Sequence, residues 1–132
     1  MPAVLDSWAV LRYMEDEAPA AGQVAALLES NRPIISWINL GEVYSVVRRR
    51  EGGDRAAETV RDLRQVLDAE LPNADRVLEA ARIKADHPLA YADAFAAATA
   101  SAHDAVLWTG DPQLLLDGAP WRWHDLRQPG SP

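Results

Sequence analysis

The sequence predicts an α/β fold, a three-layer sandwich in which helices flank a small, mostly parallel sheet. Short apolar segments alternate along the chain with longer segments whose apolar residues recur at helical spacing, which is the pattern of parallel α/β proteins. The 132 residues, 48% of them hydrophobic, suffice for one core. We find no internal repeat and no interdomain linker. We therefore predict a single domain at residues 1–127 and a disordered tail at residues 128–132.

Two strands and three helices are predicted in the first 50 residues. An apolar run at 2–5 predicts the first strand, and apolar residues at helical spacing predict helices at 7–17 and 19–31. An apolar pair predicts a second strand at 33–36. Helical spacing resumes at 37–50 and ends at two consecutive glycines.

The rest of the chain continues the alternation. A His-Pro pair interrupts it once, and an Ala-rich helix able to pack closely follows that break. The clearest strand comes next, with the sequence Ala-Val-Leu-Trp-Thr. In chain order, the predictions are a helix at 54–67, an edge strand at 69–72, helices at 74–86 and 91–103, a strand at 105–109, and a last edge strand near Trp123.

Composition limits the compartment and the kind of partner. The chain has no Cys, no stretch approaching the roughly 20 apolar residues of a membrane span, and no charged leader before its first strand. We therefore expect a cytoplasmic protein that does not contact membranes. The formal net charge of -7 argues against coating nucleic acid non-specifically, which depends on a basic surface. It leaves a nuclease possible, because a bound cation supplies positive charge locally.

Acidic residues stand in four short motifs with apolar neighbours, each near a predicted boundary between a strand and a helix. Burying a carboxylate is costly unless its charge is paired. No cluster of Lys or His accompanies these acids in the sequence, so a hard divalent cation such as Mg²⁺ is the expected partner. The motifs are Val4-Leu5-Asp6-Ser7, Asn39-Leu40-Gly41-Glu42-Val43, Tyr91-Ala92-Asp93-Ala94-Phe95 and Leu107-Trp108-Thr109-Gly110-Asp111.

The topology predicts where these acids meet. In open parallel sheets, ligands bind in the crevice outside the carboxyl ends of the strands. Asp6 ends the first strand and Asp111 follows the clearest late strand, so their carboxylates share a crevice if the two strands are neighbours. Glu42 and Asp93 would join from the beginnings of two helices. Such a site can activate water for in-line attack on a phosphodiester.

Each acid also has a purely structural interpretation. Asp6 and Asp111 suit helix N-caps, the latter because Pro112 follows it. Glu42 has capping-box spacing from Asn39, and Asp93 lies in a first helical turn, where the helix dipole favours an acid. The four together are harder to explain in this way, because converging carboxylates repel one another.

The four motifs, in this order, resemble those of the PIN domain of the VapC type, the toxin half of bacterial toxin–antitoxin pairs. The resemblance extends over nearly the whole chain and includes Ala92-Asp93-Ala94-Phe95-Ala96-Ala97-Ala98 and Thr109-Gly110-Asp111. It implies a PIN-like sandwich and a Mg²⁺- or Mn²⁺-dependent endoribonuclease. The stretch after Asp111 departs from the family pattern, since Pro112-Gln113-Leu114 stands where an aromatic residue is more usual.

The resemblance also implies the roles of individual residues. Asp6, Glu42, Asp93 and Asp111 would be the metal-binding, catalytic acids, and the hydroxyls of Ser7 and Thr109 would support them. The expected partners are an RNA substrate, a cognate antitoxin protein and a second copy of the chain in a homodimer. An antitoxin helix would lie in an apolar groove.

Other polar residues are weaker candidates. Asp104 precedes the late strand and is interpreted as a turn residue, and Asp86-His87 as the end of a helix. His103 and His124 have no partner at metal-ligand spacing, which favours surface positions. An arginine cluster, Arg48-Arg49-Arg50, would end the third helix, where cations complement its dipole or contact phosphate.

The tryptophans divide in the same way. Trp108 lies in a buried strand and is predicted to be core. Trp8 and Trp37, on flanking helices, suit either the core or a partner surface.

Two further functions fit acids at the edge of a parallel sheet. A phosphoacceptor receiver domain would need a lysine just after a late strand, whereas the one lysine, Lys84, falls within a predicted helix. A non-catalytic interaction module would use the acids only as helix caps and would bind no metal.

Overall fold

The computed structural model describes residues 2–130. Short, mainly apolar runs form three of the five strands, whereas the two edge strands carry mostly polar residues, and segments with helical periodicity form the helices. In chain order, the elements are β1 (Ala3–Leu5), α1 (Ser7–Met14), α2 (Ala20–Ser30), β2 (Ile34–Ser36), α3 (Trp37–Glu51), α4 (Gly53–Val66), β3 (Asp68–Glu70), α5 (Ala74–Asp86), α6 (Tyr91–Ala102), β4 (Val106–Thr109) and β5 (Arg122–Asp125).

All five strands form one parallel sheet in the order β3-β2-β1-β4-β5. β1 is central, with Val4 opposite Ile34 of β2 on one side and opposite Leu107 of β4 on the other. The chain therefore winds in one direction from β1 and in the other from β4, which makes the gap between these two strands a topological switch point. The neighbouring positions of β1 and β4 bring Asp6 and Thr109 to the same edge of the sheet.

Helices cover both faces of the sheet because the buried strands carry apolar residues on both. Val4 and Leu107 point into a core formed with α5, α6 and the segment around Trp121. Leu5 and Ile35 point into a second core, formed with α1–α4. The predicted three-layer α/β sandwich is confirmed. None of the described helices is long and apolar enough to cross a bilayer.

The first helix is shorter than predicted. It ends at Met14 and not at residue 17, and Asp16 adopts a positive φ of 53°, which ends the helical path. At the other end of the chain, the Gln128 carbonyl accepts a hydrogen bond of 2.8 Å from Gln23 Nε2. Residues 131 and 132 of the predicted disordered tail lie outside the described residues.

Candidate active site at the carboxyl edge of the sheet

Asp6 occupies the end of β1 and the N-cap of α1. Its Oδ1 accepts a hydrogen bond of 2.9 Å from the backbone N–H of Ala9, so the predicted capping role is present. Its Oδ2 accepts a hydrogen bond from the Thr109 hydroxyl at the end of β4. Asp6 is 1% exposed and Thr109 is 0% exposed. Capping therefore accounts for only one of the two carboxylate oxygens.

Glu42 reaches the same edge from the second turn of α3. Its Oε1 accepts two hydrogen bonds, one from the Ser7 hydroxyl at 2.8 Å and one from Asn39 Nδ2 at 3.2 Å. Ser36, and not Asn39, caps α3, because its side chain accepts from the N–H of Ile38. The capping-box interpretation of Asn39 and Glu42 is therefore wrong.

Asp93 and Asp111 complete the group from the other side of the switch point. Asp93 lies in the first turn of α6, where the charge of Asp111 acts on it. Asp111 follows β4, where its N–H donates to Thr109 Oγ1 at 3.0 Å and its Oδ1 accepts from the N–H of Gln113 at 3.0 Å. No helix begins after Asp111 in the described chain, so it closes a local turn and is not a helix cap.

Burial and mutual repulsion raise the pKa values of two of these acids. Burial is the main reason that the pKa of Asp6 rises to about 7, and the charges of Asp111 and Glu42 raise it further against the hydrogen bonds from Thr109 and Ala9. The pKa of Asp93 also rises to about 7, first through burial and then through the charge of Asp111. The charges of Asp6 and Glu42 raise the pKa of Asp93 further. The four acids therefore lie in one electrostatic environment.

The donor set fits a divalent cation. Within residues 2–130, none of Asp6, Glu42, Asp93 and Asp111 forms a salt bridge, although the chain forms several elsewhere. Four carboxylates without a basic partner match the hard oxygen ligands of Mg²⁺ or Mn²⁺. As the side chains are placed, however, no three acidic or imidazole groups of the described residues are close enough together to hold a common ion. Oxygens of Glu42 and Asp6 instead accept hydrogen bonds from Ser7, Asn39 and Thr109.

Asn39 is a site residue that the sequence analysis treated only as a cap. It is 0% exposed, and besides Glu42 its Nδ2 donates to the backbone carbonyl of Ala92 at 3.1 Å. Among the described residues, its Oδ1 is a buried side-chain atom with no hydrogen-bond partner. The signal in the sequence was a polar residue one turn before Glu42, on a helix face that is otherwise apolar.

Trp8 packs tightly against the chain between Thr109 and Asp111. A Cβ atom at Gly110 would lie 2.2 Å from Cη2 of the Trp8 ring, so the residue there must be glycine for the ring to keep its position. Arg12 lies over the same ring, 4.8 Å from its centroid. Half-buried Trp8 thus belongs to the core on the α1 side and also holds the loop that carries Asp111.

The other polar candidates lie elsewhere. Asp104 has a φ of 49° in the turn before β4 and pairs with Arg122, as expected of a turn residue. His87 caps the C-terminus of α5, as predicted for the end of a helix. His103 pairs with Glu70.

The expectation that His124 is a surface residue holds in part. It is half-buried, contacts Gln23 Oε1 at 2.7 Å, and lies with its ring centroid 4.4 Å from that of Trp108. Trp108 in turn packs against the second core, as predicted, but it is half-buried and lines an open pocket of about 430 Å³. Both side chains face α2 at the edge of the second core.

The arginine cluster ends α3 as predicted. Arg50 forms a 3.0 Å salt bridge with Glu15, and Arg48 lies against Gly53 and near the Tyr44 hydroxyl. These contacts give two of the three arginines a role in joining α3 to its neighbours.

An open groove lies between α3 and α4. Its volume is about 370 Å³, and its lining is almost entirely apolar. Trp37, which the sequence assigns either to the core or to a partner surface, lines this groove. The Arg64 guanidinium lies over its ring, 5.0 Å from the centroid. The lining residues are Trp37, Leu40, Gly41, Tyr44, Ala57 and Val60.

Comparison with known proteins gives a family and a fold. The family model for the PIN domain matches residues 3–116. Among curated proteins, none is significantly similar to the chain in sequence. Solved structures match over nearly the full length, with identities of 15–21% that show a shared fold.

Three of the similar structures illustrate this likeness. VapBC2 from Rickettsia felis, bound to a DNA fragment of its promoter, has a TM-score of 0.75 at 15% identity and covers 95% of this chain and 98% of its own. VapBC-1 from nontypeable Haemophilus influenzae has a TM-score of 0.74 at 21% identity, covering 97% and 100%. VapC20 of Mycobacterium tuberculosis, a toxin that cleaves the sarcin–ricin loop, has a TM-score of 0.72 at 20% identity, covering 88% and 95%.

Proposed function

The chain belongs to the PIN domain family, and from its acidic site we propose that it is a divalent-metal-dependent endoribonuclease, the toxin of a type II toxin–antitoxin pair. One observation carries the proposal. Asp6, Glu42, Asp93 and Asp111 come from four separate elements to one sheet edge, influence one another's charge and have no basic partner among the described residues. Helix capping alone does not require such convergence.

We assign Asp6, Glu42, Asp93 and Asp111 as the residues that would hold Mg²⁺ or Mn²⁺. When bound, the ion would compensate charge at the scissile phosphate and lower the pKa of a water molecule. Thr109 fixes one oxygen of Asp6, and Ser7 fixes one oxygen of Glu42, so both carboxylates are oriented by hydroxyls from neighbouring elements.

The reaction we propose is direct hydrolysis of an RNA phosphodiester. Water adds to phosphorus, the bond to the 3′ oxygen breaks, and a proton ends on that oxygen. The products are a 5′-phosphate and a 3′-hydroxyl. We assign the role of general base to Asp93, which is less buried than Asp6. Products with a 2′,3′-cyclic phosphate would contradict this route.

RNA is the proposed substrate, because VapC20, which shares the fold, cleaves the sarcin–ricin loop. The proposed location of the reaction is the cytoplasm. The net charge of -7 limits binding through the phosphate backbone alone. A few contacts beside the site would therefore position the strand, and Arg49, exposed near the end of α3, is a candidate for one of them.

An antitoxin is the proposed protein partner. Several similar structures are toxin–antitoxin complexes. The apolar groove between α3 and α4 suits the apolar face of an antitoxin helix, and a basic side chain of that partner would pair with the acids. Exposed Leu71 and Leu78, at 77% and 58%, leave apolar surface that supports a homodimer in the free toxin.

Neither alternative function gains support from the site. A receiver domain needs a lysine at the acidic edge, whereas Lys84 lies in the last turn of α5 and donates to the carbonyl of Leu89. An interaction module needs the acids only as caps, whereas Glu42 caps no helix and Asp111 closes a turn.

Cleavage of a mixed RNA substrate tests the proposal. The purified protein should cut in Mg²⁺ or Mn²⁺ but not in EDTA, and Asp93→Asn should remove the activity. Asp75→Asn is the matched control, because Asp75 also lies in the first turn of a helix but is exposed and distant from the sheet edge. Cutting in EDTA, or equal loss in both variants, would contradict the assignment. An inert wild-type protein that also fails to bind Mn²⁺ would favour the interaction module.

A further inference from the structure

The side-chain amide of Asn39 links the two helices that carry Glu42 and Asp93. Nδ2 donates to Glu42 Oε1 at 3.2 Å and to the Ala92 carbonyl at 3.1 Å. Glu42 lies on α3, and Ala92 is the residue before Asp93 on α6. One NH₂ group therefore contacts a proposed metal ligand directly and the backbone next to another.

The orientation of this amide follows from its partners. The Ala92 carbonyl can only accept, and Glu42 accepts when it is ionised, so the NH₂ group and not the oxygen must face them. The amide oxygen then points away and has no partner among the described residues, although Asn39 is 0% exposed. Leaving a buried oxygen unpaired is unfavourable. The two donated bonds are thus kept at a cost to stability.

Asn39 donates a side-chain hydrogen bond to the backbone of the first turn of α6. The N-cap residue of α6 is Ala90, whose side chain cannot cap, so no side-chain cap holds the turn that carries Asp93. At the other partner, Ser7 and Asn39 both donate to Oε1 of Glu42, which leaves Oε2 as the oxygen available to a ligand. Asn39 thereby influences both the direction of Glu42 and the position of Asp93.

We propose that Asn39 is a positioning residue of the nuclease site, which sets the separation of Glu42 and Asp93 through its two donated hydrogen bonds. The inference rests on the proposed function. In this role Asn39 acts through the two acids, by its bonds to Glu42 and to the Ala92 carbonyl. Partners that orient metal ligands typically change metal affinity or activity by about 10- to 100-fold when they are removed.

Asn39→Leu tests the proposal, since leucine has a similar size but donates no hydrogen bond. We expect kcat to fall about 10- to 100-fold with KM nearly unchanged, and Mn²⁺ affinity measured by calorimetry to fall about tenfold or more. Asn39→Ser, which keeps a donor, should recover part of both. Thr59→Val, a buried polar deletion in α4 whose hydroxyl bonds to the Arg55 carbonyl, should change neither.

A double-mutant cycle separates positioning from general stability. Because Asn39 acts partly through Glu42, adding Asn39→Leu to Glu42→Ala should cost less Mn²⁺ affinity than Asn39→Leu costs the wild-type protein. Additive losses, or full affinity and activity in a folded Asn39→Leu protein, would overturn the inference. If Asn39→Leu does not fold, the same comparison with Asn39→Ser decides it.

Failure of the proposed function has a different signature. A wild-type protein that binds Mn²⁺ but cuts no RNA would overturn the nuclease, and the affinity cycle would still decide the role of Asn39. A wild-type protein that neither cuts RNA nor binds Mn²⁺ would overturn both.

Discussion

The Thr109 hydroxyl donates a hydrogen bond to Oδ2 of Asp6 across the boundary between β4 and β1. The same oxygen atom of Thr109 accepts from the N–H of Asp111 at 3.0 Å. One buried hydroxyl thus connects two acids that lie 105 positions apart in the sequence. The bond is possible only because β1 and β4 are neighbours in the sheet.

We predict that Thr109→Val lowers cleavage activity about 10- to 100-fold, because Asp6 and Asp111 both lose a partner that orients them. The free energy of unfolding should fall by about 1–3 kcal/mol, since the Asp111 N–H and an oxygen of Asp6 lose a hydrogen bond. Single-turnover cleavage and urea denaturation measure the two effects. Thr59→Val removes an equally buried hydroxyl away from the site, so equal losses of activity in both variants would contradict the prediction.

The metal-free protein should become less stable as the pH rises from about 4 to about 7. Asp6 and Asp93 have pKa values of about 7 in the folded protein, against 3.8 ordinarily. Between these values the folded state holds protons that the unfolded chain has released, so raising the pH favours unfolding, by on the order of a few kcal/mol. Thermal unfolding in EDTA across this range measures the effect.

Asp6→Asn provides the control for that dependence. The asparagine can still accept from the Ala9 N–H, so the helix cap remains while the titrating group is gone. The variant should lose less stability over the same pH range. At pH 8 its free energy of unfolding should be higher than that of the metal-free wild type. Identical pH profiles for the two proteins would argue against the raised pKa of Asp6.

Mn²⁺ should stabilise the wild-type protein, and more strongly at pH 8 than at pH 5. A cation binds carboxylates only after their protons have left, so binding strengthens as Asp6 and Asp93 ionise. When the free Mn²⁺ concentration is 100 times the dissociation constant, the free energy of unfolding rises by about 2.7 kcal/mol. Differential scanning fluorimetry with and without Mn²⁺ measures it, and Asp93→Asn should reduce it. A shift of Tm that is larger at pH 5 would be the contrary result.

Gly110→Ala should disturb the site through Trp8. The added Cβ would lie 2.2 Å from the Trp8 ring, so either the ring or the loop to Asp111 must move. We expect a loss of about 1–3 kcal/mol in stability together with reduced cleavage. Adding Trp8→Leu to Gly110→Ala replaces the ring by a smaller side chain. The double variant should therefore recover part of the activity.

Gly22→Ala in α2 is the matched control, because nothing lies within 4 Å of its added Cβ. It should leave stability unchanged or raise it slightly. Normal activity in a Gly110→Ala protein of unchanged stability would show that the close approach of Trp8 does not constrain the loop.

The sequence predicted the elements well because each depends on a local pattern. Two segments are apolar enough to predict both the kind of element and its place in the chain. These are the run at 105–109, which contains β4, and the Ala-rich segment at 91–103, which contains α6. The acids could be grouped because parallel strands present their carboxyl ends at one edge. Grouping Asp6 with Asp111 required only that β1 and β4 be neighbours, and they are neighbours in the sheet.

Tertiary contacts explain what the sequence did not predict. The link from Asn39 to Ala92 joins residues 53 positions apart on two helices, and no local spacing reveals it. Trp108 alternates correctly within its strand, yet it is half-buried because it lines an open pocket between α2 and His124. The early end of α1 depends on the conformation of Asp16, a residue that an extended helical pattern could equally include.

Anomalous diffraction from crystals grown with Mn²⁺ would test the central claim most directly. We predict one or two manganese peaks at the carboxyl edge between β1 and β4, within ligand distance of carboxylate oxygens from Asp6, Glu42, Asp93 and Asp111. The same crystals of Asp93→Asn should show weaker peaks or none. An ordered Mn²⁺ bound elsewhere, or an empty site at saturating Mn²⁺ with all four carboxylates well ordered, would contradict the assignment of these acids.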